Sequence, residues 1–435
     1  MFQGKRCLIL SVSLLILAPA LAPALSPLGA QLTPGSAAAL GMGNNYTALA
    51  RGVSAMSFNP AGLGMPDSPT FSLALLPVVG HQGLQPVGLS DLVDVEGTLL
   101  SPAVKEDWLR RIGEAGGETG ALGADVTALA FNGGPVGLQF STLVRGGAAL
   151  NEDGAEVLLY GNAGRTGSPE NLNLQGSSLS GLAVSTVGVS LGLPLWVEGR
   201  AGARNTLALG GTLKYSVGHA LVHARDLGSG IVSDPLEVSV TFPMIVSDTS
   251  DVELDHGTGV GLDLGGLWKQ GPWSVGVTVQ NLVHSFEWDL EGMSYRPGEL
   301  LFNEEVSESD FDARPADQAP ESLKDDVADL TFKPRLAIGG AYDATPNLTV
   351  TADLAKRFGD GIQVGPELHV GMGLEYRALP WLPLRLGAAK ITDGFQFGGG
   401  VTLALGPVYL GWAGALQRGD LEGTLGSFSL SFGGF

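Results

Sequence analysis

Two short glycine-containing motifs in this chain have the residue types of known catalytic or phosphate-binding sites. Gly188-Val-Ser-Leu-Gly192 matches the G-x-S-x-G pattern of a nucleophilic serine, and Gly257-Thr-Gly-Val-Gly261 is a glycine-rich run. The first pattern needs a sharp turn between a strand and a helix. A phosphate loop needs a following helix and a lysine. The first motif lies inside a strand-like segment, and no helix with a lysine follows the second. The sequence therefore predicts no catalytic residues and no enzyme.

Candidate metal ligands are also poorly placed. His219 and His223 are four residues apart, which separates them by about 13 Å on one face of a strand, too far for one metal ion. The acidic run from Asp248 to Asp255 lacks the central glycine and terminal glutamate of a calcium loop. We therefore expect no metal site and no cofactor. The run is interpreted as a solvated loop, with weak bridging by divalent cations as the alternative.

After these motifs, a set of charged residues gives the most information about function. Each lies on the polar side of a segment whose alternate residues are apolar, so in a closed barrel all of them should point into the lumen. Two roles are open: a mixed-charge network that hydrates the lumen and holds a plug, or a solute path with a headgroup site. The predicted luminal row is Lys214, Asp263, Arg335, Asp353, His369, Glu375, Arg377 and Arg385.

Strands of strict two-residue alternation must position this row. In the segment 367–378, Leu374 belongs to an apolar side, whereas His369 and Glu375 lie on the other side. A charge is costly against lipid and harmless against a wet lumen. Leu374 should therefore face lipid and Gly373 the lumen, where a serine should be tolerated. The pattern predicts an all-β fold, a single antiparallel transmembrane β-barrel, with a soluble β-sandwich as the alternative.

Fourteen strands are predicted, with twelve or sixteen as alternatives. Short turns follow the even-numbered strands and long loops the odd-numbered ones, as in barrels with short periplasmic turns and longer external loops. Segment 236–246 also alternates, but as a wall strand it would invert the later turns, so it is placed in an external loop. A loop helix is predicted between Ser101 and Gly116. The predicted strands are 69–79, 121–132, 135–146, 178–194, 205–226, 256–269, 272–288, 330–342, 347–358, 367–378, 383–391, 395–405, 407–418 and 425–435.

The first 30 residues have the pattern of a secretory signal peptide. Lys5 and Arg6 precede the apolar run Cys7–Leu17, and cleavage is predicted before Gln31. The mature chain then has no cysteine, and its predicted location is the outer membrane of a Gram-negative-type envelope. The formal net charge of −20 argues against nucleic acid as a partner, because binding nucleic acid needs a basic face.

Residues 31–66 do not alternate and are too few for a separate domain. We expect them to fold into the lumen as a hatch, where irregular backbone is sheltered from lipid, with residues 67–435 forming the barrel. The stretch 46–63 resembles the N-terminal signature of the FadL-like superfamily of outer-membrane barrels. That group includes FadL-type transporters of hydrophobic compounds and PorV-like barrels of a secretion system. Asn59, Pro60 and Ala61 match the Asn-Pro-Ala of the FadL hatch.

The C-terminal part of the chain is more similar to the PorV-like branch. The similar stretches are 373–387, 397–400 and 427–432, and the final Phe435 resembles the insertion signal read by the barrel assembly machinery. The resemblance therefore implies that machinery as a partner, and the barrel fold implies contact with outer-membrane lipid.

The leading functional prediction is passage of small hydrophobic molecules across the outer membrane. The resemblance implies capture by the external loops, transfer into the barrel and release when the hatch shifts. The alternative is a PorV-like, non-transporting barrel that docks secreted or surface proteins, and a third interpretation, an open diffusion porin, fits poorly with a hatch. Transport predicts an apolar pocket below the loops. Docking predicts a sealed lumen and an exposed loop surface.

Overall fold

The computed structural model describes residues 36–433 except 162–163, 169, 199–204, 248–254, 363–364, 393 and 420–421. Several predictions concern positions outside these residues: the signal peptide, the first five residues of the proposed hatch, Asp248 within the acidic run, and Phe435.

Fourteen antiparallel strands form a closed barrel, as the alternation predicted. The first strand pairs with both the second and the last, which closes the sheet. The strands are β1 Phe71–Gln85, β2 Glu118–Gly133, β3 Val136–Leu150, β4 Ser178–Glu198, β5 Asn205–Arg225, β6 Gly257–Gln270, β7 Trp273–His284, β8 Arg335–Thr345, β9 Leu348–Arg357, β10 Leu368–Tyr376, β11 Leu384–Ile391, β12 Gly394–Leu405, β13 Val408–Gly419 and β14 Gly423–Gly433. The main boundary differences are that β1 continues beyond its predicted end at residue 79 and that β8 begins after its predicted start at residue 330.

The two sides of the wall differ as a lipid-facing barrel requires. In β10 the outward residues Met372 and Leu374 are 61% and 43% exposed, whereas the inward His369 and Glu375 are 2% and 1% exposed. An apolar outer surface and a polar inner surface are the arrangement of a membrane barrel. The facing predicted for Leu374 is therefore confirmed.

Connections on the two ends of the barrel have different lengths. On one end, here called the turn side, each connection is short, such as Gly134-Pro135 between β2 and β3 and Gly271-Pro272 between β6 and β7. On the other end, the loop side, four long connections carry helices and short strands. Segment 236–246 forms two short strands there, Leu236–Thr241 and Met244–Ser247, and neither crosses the wall. The prediction that this segment is not a wall-spanning strand is thus confirmed, although Met244–Ser247 pairs with the loop-side end of the strand Asn205–Arg225.

Among the residues that the structure describes, six α-helices lie in the N-terminal segment and in the long connections. In the predicted loop helix the Ser101 side chain accepts a hydrogen bond from the Val104 N–H, and Gly116 ends it at φ 80°. The helices described are α1 Ala37–Gly41, α2 Gly52–Phe58, α3 Leu89–Asp94, α4 Pro102–Ala115, α5 Glu152–Tyr160 and α6 Glu321–Asp329, with 3₁₀ turns at Pro60–Gly64, Leu290–Gly292 and Ala316–Gln318.

Among the residues that the structure describes, no helix has both the length and the apolar character needed to cross a membrane.

The lumen is filled from both ends. The segment Ser36–Met65, here called the N-terminal segment, packs α1 against β12 and β13 and its 3₁₀ turn against β4 and β5. Its contacts fall near the turn-side ends of these strands, for example Gly64 at Leu193. The loop-side half is filled by apolar side chains from the long connections and from inward positions of β4 and β5.

Insertion of short epitope tags tests this topology. Tags placed near Gly164 and Ser309, both on the loop side, should be labelled by antibody in intact cells. Tags near Gly134 and Gln270, on the turn side, should be labelled only after the outer membrane is permeabilised. Labelling of the Gln270 tag in intact cells would contradict both the orientation and the strand parity.

Candidate functional site in the barrel lumen

Two neighbouring strands bring Lys214 and Asp263 of the luminal row together. Lys214 Nζ lies 2.5 Å from Asp263 Oδ1, and both side chains are only 3% exposed. A bulge in β7 turns Asn281 to φ 52°, so that its backbone N–H donates to Asp263 at 2.7 Å. Lys214 also donates to the Asn281 side-chain oxygen. Each charge is therefore neutralised and hydrogen-bonded, as burial requires.

A second buried cluster joins three further members of the row. Arg385 Nε lies 2.6 Å from Glu375 Oε2, and its Nη1 donates to the Thr402 hydroxyl at 2.7 Å. Arg377 contacts the other Glu375 oxygen from the turn-side rim. Arg377 itself follows the last residue of β10, and its side chain is 53% exposed, so it lies at the mouth of the lumen and not within it.

The remaining members of the row lie against or near the N-terminal segment. Asp353 Oδ2 accepts a hydrogen bond from the Thr47 N–H at 2.9 Å. His369 Nε2 is 3.0 Å from Asn45 Oδ1. Arg335 donates to the Gln280 oxygen at 3.2 Å, and Gln280 in turn donates to the carbonyl of Ser57 at 2.6 Å. These contacts are those expected if part of the row holds a plug, which was one of its two predicted roles.

The residues Asn59, Pro60 and Ala61 form the tightest turn of the N-terminal segment. The Asn59 side-chain oxygen accepts from the Ala61 N–H at 3.2 Å, and its amide donates to the carbonyl of Gly266 in β6 at 3.1 Å. Pro60 begins the 3₁₀ turn, where its missing N–H costs nothing. Asn59 thus caps the turn and attaches it to the wall at the same time.

Inward-facing glycines let the backbone of the N-terminal segment lie directly on the wall. A Cβ atom at Gly387 would lie 2.0 Å from the carbonyl carbon of Met42, and one at Gly210 would lie 2.3 Å from that of Pro60. No real side chain could occupy either place without displacing the segment. We call this set the glycine collar: Gly137, Gly192, Gly210, Gly265, Gly276, Gly339, Gly371, Gly373, Gly387, Gly398, Gly400 and Gly411.

A continuous apolar cluster, here called the loop core, closes the loop-side half of the lumen. Inward residues of β4 and β5, such as Val184 and Leu221, pack against side chains of the long loops, and Leu323 of α6 is fully buried. Its members are Leu182, Val184, Leu221, Ile245, Phe286, Trp288, Met293, Tyr295, Ala316, Ala319, Leu323, Val327, Leu330, Phe332 and Ile362. The sequence analysis missed this core.

Two small cavities lie within the lumen, one beside the loop core and the other beside the N-terminal segment. One, of about 30 Å³, is bounded by Phe332 and Ile362 on its apolar side and by Lys214 and Arg335 on its polar side. The other, of about 40 Å³, lies between Asp353, His369 and the N-terminal segment. Each has room for only about one or two water molecules, so the described structure is a closed state of the barrel.

A wider cavity of about 240 Å³ opens on the turn side beneath the N-terminal segment. There Asp67 bridges Arg51 of the segment at 2.7 Å and Lys269 of β6 at 2.8 Å. Burial alone would raise the pKa of Asp67, but the charges and hydrogen bonds of Arg51 and Lys269 outweigh it and hold the pKa well below its usual range. The bridge attaches the N-terminal segment to the rim of the wall.

The motifs set aside in the sequence lie on wall strands. Ser190 of the G-x-S-x-G pattern lies within β4 and shares a hydrogen bond with Thr212 of β5 at 2.7 Å. His223 lies 3.3 Å from Asp326 of α6. Within the part of the chain that the structure describes, no group of three or more histidine, aspartate or glutamate side chains could hold a metal ion.

The fold of this protein is a closed fourteen-stranded β-barrel, and it is FadL-like. The Ralstonia pickettii toluene transporter TbuX is similar at 14% identity, with a TM-score of 0.51, over 93% of this chain and 98% of that one. A TodX deltaS2S3 mutant monoaromatic hydrocarbon channel is similar at 13% identity, with a TM-score of 0.52, over 92% and 98%. At these identities the likeness shows the fold alone.

Sequence comparison places the chain in a family. The family model described as "F plasmid transfer operon, TraF, protein" matches residues 57–354, well over half of the chain, so the chain belongs to this family. No curated protein matches the sequence.

Proposed function

We propose that this protein mediates the passage of small hydrophobic molecules across the outer membrane. The observation that carries the proposal is a lipid-facing barrel of FadL-like fold that holds an apolar layer, the loop core, on the loop side of the N-terminal segment. The similar solved structures are described as a toluene transporter and a monoaromatic hydrocarbon channel. Localisation in the outer membrane and contact with its lipid are part of the same proposal.

The two layers suggest the order of events. A hydrophobic molecule enters from the loop side and exchanges into the loop core, where apolar side chains replace water around it. It then passes the polar layer formed by Lys214, Asp263 and Arg335. Release on the turn side requires the N-terminal segment, acting as the hatch, to leave the glycine collar and break contacts such as Thr47 to Asp353. Passage of this kind needs no cofactor and no catalytic residue.

The docking alternative and the assembly partner stay predictions. Below the loops, where transport predicted an apolar pocket, the loop core is packed, and a closed lumen is what the docking alternative predicted. Neither of the two similar structures named is described as a docking protein. The prediction that the barrel assembly machinery reads Phe435 concerns a residue outside the described ones. No feature of the lumen described above points to a secreted protein as a partner.

A disulfide that locks the hatch tests the proposal. A Cβ atom at Gly411 of β13 would lie 3.0 Å from the Cβ of Ala37 in α1, closer than the ~3.8 Å of a disulfide, and 2.5 Å from the Ser429 hydroxyl, which must turn away. The double variant Ala37→Cys/Gly411→Cys should therefore cross-link after a small shift. Because the only native cysteine, Cys7, precedes the predicted cleavage site, no other disulfide should form in the mature chain.

The measurement is entry of the fluorescent hydrophobic probe N-phenyl-1-naphthylamine into intact cells. Cells carrying the wild-type protein should take up the probe several-fold faster than cells carrying an empty vector. The oxidised double variant should fall to the vector rate and regain the wild-type rate after reduction with dithiothreitol. The single variant Ala37→Cys is the matched control. Equal rates in vector and wild-type cells would overturn the function, whereas equal rates in oxidised and reduced variants would overturn only the hatch.

A further inference from the structure

Three loops on the loop side build a second antiparallel sheet that is separate from the wall. We call it the loop sheet, and its strand order is Ser307–Asp310, Glu299–Asn303, Leu236–Thr241, Gly230–Ser233 and Leu172–Asn173. The strands come from the β3–β4, β5–β6 and β7–β8 connections. Such a sheet is not needed to close the barrel, because none of its central residues belongs to the loop core.

The two faces of the loop sheet have opposite character. Cα partners share a face in an antiparallel sheet, and the register pairs Val238 with both Phe302 and Ile231. One face is therefore apolar and consists of Ile231, Leu236, Val238, Val240, Leu300 and Phe302. The same register places four carboxylates on the other face: Glu237, Glu299, Glu308 and Asp310.

The apolar face is only partly covered by the chain that the structure describes. Phe302 is 44% exposed and Leu236 is 37% exposed, and Val238 and Leu300 are only partly buried. None of these side chains packs into the apolar clusters of buried residues. Adjacent exposed apolar side chains of this kind mark interaction surfaces.

One edge of the sheet presents unpaired backbone groups. Ser307–Asp310 is the terminal strand of the order given above and pairs only with Glu299–Asn303. The Asn303 N–H donates to the Val306 carbonyl at 2.9 Å, and hydrogen-bonded positions recur every second residue. The backbone groups of Glu308 are therefore directed to the paired strand, whereas those of Ser307 and Ser309 are directed to the free edge.

We infer that this edge binds an extended peptide of alternating basic and apolar residues. A strand added to a sheet edge hydrogen-bonds through its backbone and sends alternate side chains to the two faces. Its residue beside Glu308 must be basic for charge pairing, whereas Asp310 on the same face already pairs with Arg314. Its residues beside Ser307 and Ser309 must be apolar to extend the face of Phe302.

The charge of the surrounding loop points to the same partner. Residues 299–329 contain eleven acidic and two basic side chains, which attract a cationic chain and repel an anionic one. A second copy of this protein is disfavoured, because edge-to-edge pairing would place Glu308 and Asp310 of one copy near the same carboxylates of the other. The partner is therefore a basic segment of a different protein.

Fluorescence anisotropy with labelled ten-residue peptides tests the inference on the full-length protein in detergent. A peptide of alternating Lys and Val should bind at least tenfold more tightly than a Lys-block, Val-block peptide of the same composition, and more tightly than alternating Asp and Val. Equal binding of the alternating and block Lys peptides would overturn the inference, since it would show attraction by charge alone.

Substitutions at the edge separate backbone pairing from charge. Ser309→Pro removes the outward N–H and should weaken binding of the Lys–Val peptide at least tenfold, whereas Ser309→Ala should leave it unchanged. Glu308→Lys with Asp310→Lys should reverse the preference toward the Asp–Val peptide. If the proline variant keeps its heat-modifiable mobility and binds the Lys–Val peptide as tightly as the wild type, the peptide does not pair with this edge. If the wild-type protein forms dimers and the Ser309→Pro variant is monomeric, the edge pairs with a second copy of the chain. That result would overturn the inference of a basic partner.

Discussion

Removing both layers that fill the lumen should turn the protein into an ion-conducting pore, whereas removing either layer alone should leave it almost closed. The N-terminal segment and the loop core lie in series along the barrel axis, and the cavities beside them are small. Deletion of 31–64 removes the first barrier, and replacement of 285–334, the whole β7–β8 connection, by a short Gly-Ser linker removes ten of the fifteen residues of the second. The measurement is the single-channel conductance of each deletion variant in planar bilayers.

Heat-modifiable migration on gels should accompany the conductance measurement for all three variants, because a closed barrel pairs its own backbone whatever fills its lumen. A large conductance after deletion of 31–64 alone would show that the loop core does not seal the lumen. Equal, low conductance of the double deletion and the full chain would contradict the assignment of both layers as barriers.

The strand pattern could be predicted from the sequence because a membrane barrel constrains each residue locally. Facing depends only on odd or even position, so His369 and Leu374 were assigned to opposite sides without any knowledge of the neighbouring strands. The pairing of Lys214 with Asp263 could not be predicted in the same way. It depends on the register between β5 and β6. Odd or even position assigns a residue to one face of the sheet but does not fix where the residue lies along the barrel axis.

The glycine collar shows a different limit. The abundance of glycine was visible, but a glycine at an inward position gives no sign of what lies against it. For this reason the expectation that Gly373 would tolerate a serine is wrong: a Cβ there would lie 2.7 Å from the Thr351 hydroxyl and 2.9 Å from the carbonyl oxygen of Met42. The steric requirement belongs to the path of the N-terminal segment, which is remote in sequence.

The loop core was hidden because its residues come from several loops with no common period. Phe286 and Trp288 are separated from Leu323 by more than 30 residues, and the intervening sequence is rich in acid. Many of these acidic residues are exposed, whereas the apolar residues between them pack inward. Leu323 and Val327, four residues apart on α6, were the one local signal, because this spacing places two side chains on the same helix face.

Loss of the Glu375 carboxylate should be the most destabilising single change in the luminal row. Glu375 and Arg385 are 1% and 0% exposed and lie 2.6 Å apart. Glu375→Leu leaves a buried guanidinium without its counter-charge, which costs about 3–5 kcal/mol. Glu375→Gln should cost less, because its side-chain oxygen can still accept a hydrogen bond from Arg385.

Combining Glu375→Leu with Arg385→Met should restore much of the lost stability, since replacing both members of a buried pair removes the uncompensated charge. Arg377 is largely exposed, so water can solvate it in either variant. The free energies of unfolding, measured by denaturant titration in lipid vesicles, form a double-mutant cycle whose coupling term isolates the pair. A coupling term near zero would show that water reaches the pair in the folded barrel. The luminal row would then act as a hydrated lining and not as a set of contacts that fix the wall.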